Sequence, residues 1–164
     1  MSDSLTRAHR IVDELNTCGV THFIYLIDYG TRSVCDAISR EGRITMIPVC
    51  REGEIFAIAS GLITGGKKPV AFMQITGFME SGDSIRYLAV QMGMPLLILL
   101  GDRGWKKDEP ITDSAAIFAE PILKAWGIKY YMVDAVEDTE VISKAYREAQ
   151  ETSQPVAILI SPEK

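Results

Sequence analysis

Residues 69–100 read PVAFMQITGFMESGDSIRYLAVQMGMPLLILL, and the succession of patterns in this stretch decides the fold class. Pro69 to Gln74 is a short, nearly continuous apolar run, the signature of a strand buried on both faces. Ile85, Leu88, Ala89 and Met92 recur at the spacing of one helix face. Pro95 to Leu100 (PLLILL) is the most strongly predicted strand of the chain.

The same alternation extends outward in both directions. Upstream, Leu5, Ala8, Ile11, Val12 and Leu15 mark a helix face that Gly19 is placed to end. His22 to Ile27 reads as a strand, Ser33 to Arg40 as a helix closed by Gly42, and Arg43 to Val49 as the next strand. Ile55 to Ile63 reads as a helix that is apolar on nearly every side and rich in Ala, Ser and Gly, hence buried and open to close backbone approach. Gly65-Gly66-Lys67-Lys68 follows it as an exposed turn. Downstream, Asp113 can cap a helix reaching about Trp126, with Pro121 a candidate break. Lys129 to Val133 is a strand. Val141, Ile142, Ala145, Tyr146 and Ala149 mark a helix, and Val156 to Ile160 is the last strand. Strands alternating with helices predict a doubly wound α/β fold, a mostly parallel six-stranded sheet with helices on both faces. No linker or repeat divides residues 1–164, so one domain is expected.

Composition bounds the function. With 164 residues and 47% apolar content the chain can bury a sizeable core, and a net charge of −5 argues against binding nucleic acid. The longest apolar run is far below a membrane span, and the polar start MSDSLTRAHR carries no secretory h-region, so a cytoplasmic protein is expected. Cys18, Cys35 and Cys50 have no CxxC spacing and only two histidines beside them, which reads as buried apolar filler rather than a zinc site or disulfide framework.

Ligands of such sheets sit beyond the carboxyl ends of the strands. Four loops belong there: Asp28 to Arg32, Cys50 to Glu54, Ile75 to Ser84, and Gly101 to Trp105. None carries a GxGxxG or GxxxxGK[ST] phosphate signature, and GxSxG is absent. Glu52 and Glu54 form an isolated acid pair at a helix start, a poor signal for glycoside hydrolysis and one that dipole complementarity explains equally.

The stretch Val49-Cys50-Arg51-Glu52-Gly53-Glu54-Ile55-Phe56-Ala57-Ile58-Ala59-Ser60-Gly61, followed by Gly66-Lys67-Lys68-Pro69 and Gln74-Ile75-Thr76-Gly77, resembles the pyrimidine-binding domain of thiamine-diphosphate-dependent decarboxylases. In that family a strand delivers a glutamate to a small-residue helix, with a glycine nine positions on. Glu52 and Gly61 have that separation, which favours Glu52 over Glu54. Within the family the chain is most similar to sulfopyruvate and phosphonopyruvate decarboxylases, through Gly101-Asp102-Arg103-Gly104 and Asp108-Glu109-Pro110. It departs from them in Phe78 to Ser84, in Ile27-Asp28-Tyr29, and in Ile111-Thr112-Asp113, where phosphonopyruvate enzymes carry a histidine.

The resemblance implies thiamine diphosphate as cofactor and a small anionic 2-oxo acid as substrate. It implies that Glu52 is the catalytic acid, hydrogen-bonded to the aminopyrimidine ring from a dry setting that raises its pKa. Gln74, Thr76 and Gly77 would lie against the cofactor, with Asp28, Tyr29 and Arg103 as substrate candidates. For Arg103 a surface ion pair is an equally good reading. The family's diphosphate half carries Gly-Asp-Gly and a later Asn-Asn that hold Mg2+, and this sequence has neither. The implied assembly is therefore an alpha subunit, self-associated into dimers, with a separate diphosphate-binding beta subunit. A non-catalytic doubly wound ligand-binding or regulatory subunit, and a carboligase or lyase half on the same cofactor, are the alternatives.

Overall fold

A computed structural model describes residues 3–27 and 32–162, with residues 3–5 described in their backbone only. Asp28 and Tyr29 lie outside the described residues. The elements run α1 (Asp3–Thr17), β1 (His22–Tyr25), α2 (Arg32–Glu41), β2 (Thr45–Pro48), α3 (Glu52–Thr64), β3 (Pro69–Gln74) and α4 (Ile75–Glu80). A single turn α5 (Gly82–Ser84) leads into a π-helical segment, Ile85–Gln91. Then come β4 (Leu97–Gly101), α6 (Ser114–Ala125), β5 (Lys129–Val133), a 3-10 turn (Glu137–Glu140), α7 (Val141–Thr152) and β6 (Val156–Ile160).

All six strands are parallel, in the order β2-β1-β3-β4-β6-β5. The central strands β3, β4 and β6 are apolar at almost every position because both of their faces are covered. On one face Ala8, Ile11 and Leu15 of α1, Val34 and Ile38 of α2, and Ile142 and Ala149 of α7 pack on Phe23, Phe72 and Leu99. On the other, Ile55, Phe56 and Ala59 of α3, Phe78 of α4, Ile85, and Leu123 of α6 pack on Ile24, Met73 and Leu100. This is the doubly wound architecture, and its switch in strand order falls between β1 and β3. Arg7 ties α1 to the carboxyl end of the sheet: its buried guanidinium donates to the Asp134 carbonyl at 2.7 Å and to the Ser161 carbonyl at 2.8 Å.

Several expectations are corrected. α3 is buried through Ile55, Phe56 and Ala59 only, while Ala57, Gly61 and Thr64 face outward. The segment read as the loop 75–84 is mostly helix: α4 starts directly after Gln74, held by Phe78 against Trp126 at 5.4 Å between ring centroids. Met92 is 60% exposed rather than on the buried face with Ile85 and Ala89. The π geometry, seen in the bond from Met92 N–H to the Tyr87 carbonyl at 3.0 Å, adds a residue per turn and carries position 92 off that face. α6 continues through Pro121, which lies on the exposed side, where water can replace the hydrogen bond its missing N–H removes. Cys35 is buried, Cys18 half-buried and Cys50 exposed, because Cys50 sits just past a strand end on the carboxyl-end rim. Among the described residues no helix is long and apolar enough to cross a membrane.

The acid range gives a first prediction. Backbone N–H donors of Ala135, and secondarily Asp134, hold the Asp138 carboxyl below its ordinary range. Hydrogen bonds from Tyr130 to Glu120 and from Lys129 to Glu148 do the same for those acids. A depressed carboxylate contributes stability above its unfolded pKa, and that contribution is lost as pH falls through the folded value. Burial pushes the Asp102 carboxyl the other way, so it alone of these acids favours the fold at low pH. Stability is expected to fall from neutral pH toward about pH 3. Asp138→Ala should cost about 1 kcal/mol at neutral pH and flatten that fall, as read by thermal unfolding across the pH series.

Candidate active site

The site is built where β2, β3 and β4 end. After Pro48 the chain turns through Cys50 and Arg51 and enters α3 at Glu52. The two acids of this turn then part. The Glu54 carboxylate reaches back to accept the backbone N–H groups of Cys50 at 3.2 Å and Arg51 at 3.4 Å, two donors that the helix start leaves unpaired. Among the described residues the Glu52 carboxylate accepts no hydrogen bond, and its side chain is half-buried.

What Glu52 lies against is Gly77. A methyl group on Gly77 would sit 2.3 Å from Glu52 Cγ and Oε1, and 2.5 Å from Cδ. No real carbon approaches so closely, so the stem of Glu52 occupies the space that any side chain at 77 would need. Gly77 is fixed there by its neighbours: Phe78 is fully buried, and the buried Ser81 hydroxyl donates to the Gly77 carbonyl at 2.7 Å. Arg51 forms an ion pair with Glu80 across the starts of α3 and the end of α4, clamping the two helices from the solvent side.

Gln74 ends β3 directly beside Gly101 of β4 in the sheet register. Gln74, Thr76 and Arg103 line one crevice of only about 10 Å³, with the Thr76 hydroxyl donating to Gln74 Oε1 at 3.3 Å. Arg103 Nε donates to Asp113 Oδ2 at 2.6 Å. The larger concavity, about 430 Å³, lies on the other flank of α3 between Gly53, Ala57 and Ser84 and is not lined by Glu52. Thus the fold brings Glu52 to Gly77, and Gln74 to Thr76 and Arg103, all along one edge. Gly61 stands apart, nine residues along α3, with open space where a side chain would project. Among the described residues no group of three or more His, Cys, Asp and Glu side chains could hold a metal ion.

Asp102 is a site-edge residue that sequence reading passed over: only 3% exposed, at the end of β4, with its carboxyl pushed upward by burial. Its place between the apolar run PLLILL and the polar loop gave no sign of burial. Next to it, Gly104 packs against Asp113 so closely that an added methyl would lie 2.3 Å from Asp113 Cβ and 2.8 Å from its backbone nitrogen. Backbone cannot swing aside as a side-chain end can. Gly104→Ala is therefore expected to destabilise the chain by about 1–3 kcal/mol, a loss that denaturant unfolding would measure.

No family model matches the chain. It is 28% identical over 130 residues to sulfopyruvate decarboxylase subunit alpha of Methanocaldococcus jannaschii, covering 78% of this chain and 77% of that one. The chain is similar in sequence to sulfopyruvate decarboxylase alpha subunits. A second subunit alpha, from Methanococcus maripaludis, is 28% identical over 134 residues, covering 79% of this chain and 78% of that protein. Sulfopyruvate decarboxylase of Methanosarcina acetivorans is 28% identical over 143 residues, which is 83% of this chain and 37% of that longer protein.

Proposed function

We propose that residues 1–164 act as one pyrimidine-binding domain, the alpha subunit of a thiamine-diphosphate-dependent decarboxylase of a small anionic 2-oxo acid such as sulfopyruvate or phosphonopyruvate. The observation that carries this is the Glu52 carboxylate: half-buried, backed onto Gly77, and without a hydrogen-bond partner among the described residues. Helix-dipole complementarity accounts for an acid at this helix start in any module, but not for its packing onto a bare glycine of the neighbouring helix. The names of the relatives support the same reading, and so does the longer Methanosarcina protein, which has room for a second half in one chain.

The residues present fit the cofactor. Glu52 would offer a carboxyl oxygen to the ring nitrogen of an aminopyrimidine and would share a proton with it, which is the work of a general acid–base group. Gly77 leaves the space in which that carboxyl is seated. Gln74 and Thr76 present an amide and a hydroxyl at the neighbouring strand end, and Arg103 presents a guanidinium suited to an anionic substrate group. When bound, thiamine diphosphate supplies the electron sink that 2-oxo acid decarboxylation requires.

The crevice at Gln74, Thr76 and Arg103 is far too small to enclose a cofactor, whereas ligand sites bury most of their ligand. On the family resemblance, and because the sequence has neither Gly-Asp-Gly nor Asn-Asn, we assign the covering surface to a separate diphosphate-binding beta subunit that also holds Mg2+, the whole being a cytoplasmic hetero-oligomer built on dimers of this chain. The test is carbon dioxide release from sulfopyruvate, phosphonopyruvate and pyruvate. It should be assayed with the chain alone, the copurified partner alone, and the two together with thiamine diphosphate and Mg2+. Turnover of an anionic-tailed substrate only in the mixture is expected. No release from any 2-oxo acid by the mixture would refute the decarboxylase reading.

A further inference from the structure

The loop after β4 holds Arg103 against Asp113, an acid to which the proposed function gives no role. Its start is pinned to the sheet by the bond from Asp102 N–H to the Ile160 carbonyl at 2.8 Å, and its end by the bond from Thr112 N–H to the Gly104 carbonyl at 3.0 Å. Between them the bare Cα of Gly104 rests on Asp113, and this close approach sets Arg103 beside that acid. The two oxygens of Asp113 then divide their tasks. Oδ1 accepts the Ala115 N–H at 2.9 Å and caps α6, while Oδ2 accepts the Nε–H of Arg103 at 2.6 Å. Both contacts hold the Asp113 carboxyl below its ordinary range, the backbone donor first and Arg103 second.

A guanidinium has two edges. With Nε committed to Asp113, the remaining N–H groups on Nη1 and Nη2 make no hydrogen bond among the described residues, and the side chain is 60% exposed at the crevice shared with Gln74 and Thr76. We infer that Asp113 is a positioning residue: it fixes the Nε edge of Arg103 so that the outer edge stands ready as a two-pronged receptor for the oxyanion group on the substrate's tail. The identity of that anion rests on the decarboxylase reading; the fixed arginine does not. A guanidinium already held in place loses less rotamer freedom on binding than a free one, and the expected gain is about three- to tenfold in affinity.

Asparagine and serine separate the two tasks, since each is a good helix cap but neither supplies a second carboxylate oxygen. Asp113 also repels an incoming anion, so its removal has two opposed effects. A double-mutant cycle cancels the repulsion, because that part is felt equally whether residue 103 is arginine or lysine. The experiment titrates inorganic sulfate into the purified full chain, following the backbone amides of residues 74–76 and 101–104 by nuclear magnetic resonance. Wild type, Asp113→Asn, Arg103→Lys and the double variant are compared, with Asp113→Ser as a second probe of the cap and thermal unfolding as the check on folding. In the arginine background Asp113→Asn is expected to weaken sulfate binding at least threefold relative to its effect in the lysine background. Equal effects in the two backgrounds, or no sulfate response of these amides in the wild-type chain, would overturn the inference. Neither outcome involves turnover, so failure here and failure of the decarboxylase reading are told apart.

Discussion

Gly77→Ala is expected to abolish turnover in the assembled enzyme while leaving the chain folded. The added methyl would fall 2.3 Å from Glu52 Cγ and Oε1. Cγ belongs to the stem and Oε1 to the end of one flexible side chain, so it is Glu52 that must change its χ1 rotamer, which carries its carboxyl away from the seat over α4. Residue 77 lies inside α4 without a left-handed backbone angle, where alanine is the better helix former by about 1 kcal/mol. Stability should therefore hold or rise. Loss of a positioned acid–base group corresponds to a fall of about 10²- to 10⁴-fold in kcat. Circular dichroism and thermal unfolding of the purified variant check the fold, and carbon dioxide release checks the rate. Near wild-type kcat would show that the seat of Glu52 does not matter.

Glu52→Gln is expected to reach a similar loss by another route. The amide keeps the length and the contact with Gly77, but its N–H groups are not acidic, so it can donate a hydrogen bond to an aminopyrimidine nitrogen and not transfer a proton to it. Turnover should fall by about 10²- to 10⁴-fold with little change in thermal midpoint. The two changes act through one carboxyl group, so the double variant should be hardly slower than either single one, a non-additivity that independent sites do not show. Full activity of Glu52→Gln, saturated with cofactor, would remove Glu52 from the chemistry.

The sheet was legible because apolar runs such as Pro69 to Gln74 and Val156 to Ile160 leave a strand buried on both faces as the economical reading. The helix faces of α1 and α7 were legible for the same reason, through their 3.6-residue period. The helix α4 was not, since Thr76 and Gly77 have the composition of a loop; burial of Phe78 against Trp126 overrides that local preference. The π segment was misread at Met92 because its extra residue per turn has no signature in a hydrophobic period. At the candidate site, Glu52 is singled out by the family resemblance, in which a glutamate precedes a glycine by nine positions as Glu52 precedes Gly61; its position at a helix start alone fits a dipole-complementing acid as well. Its seat has no sequence signal, because Glu52 and Gly77 meet only through the packing of α3 on α4. The pairing of Arg103 with Asp113 stood open as a surface ion pair or a substrate contact. The structure pairs one edge with Asp113 and gives the other no hydrogen-bond partner among the described residues, so the two readings are compatible.

On the proposed function the chain supplies one half of a thiamine diphosphate site, with Glu52 as its acid. Calorimetric titration of thiamine diphosphate with Mg2+ tests it most directly, first into the purified chain and then into the chain reconstituted with its copurified partner. Weak or no binding by the chain alone and tight binding by the mixture are the predicted result. Tight binding by the chain alone, or no gain on adding the partner, would contradict it.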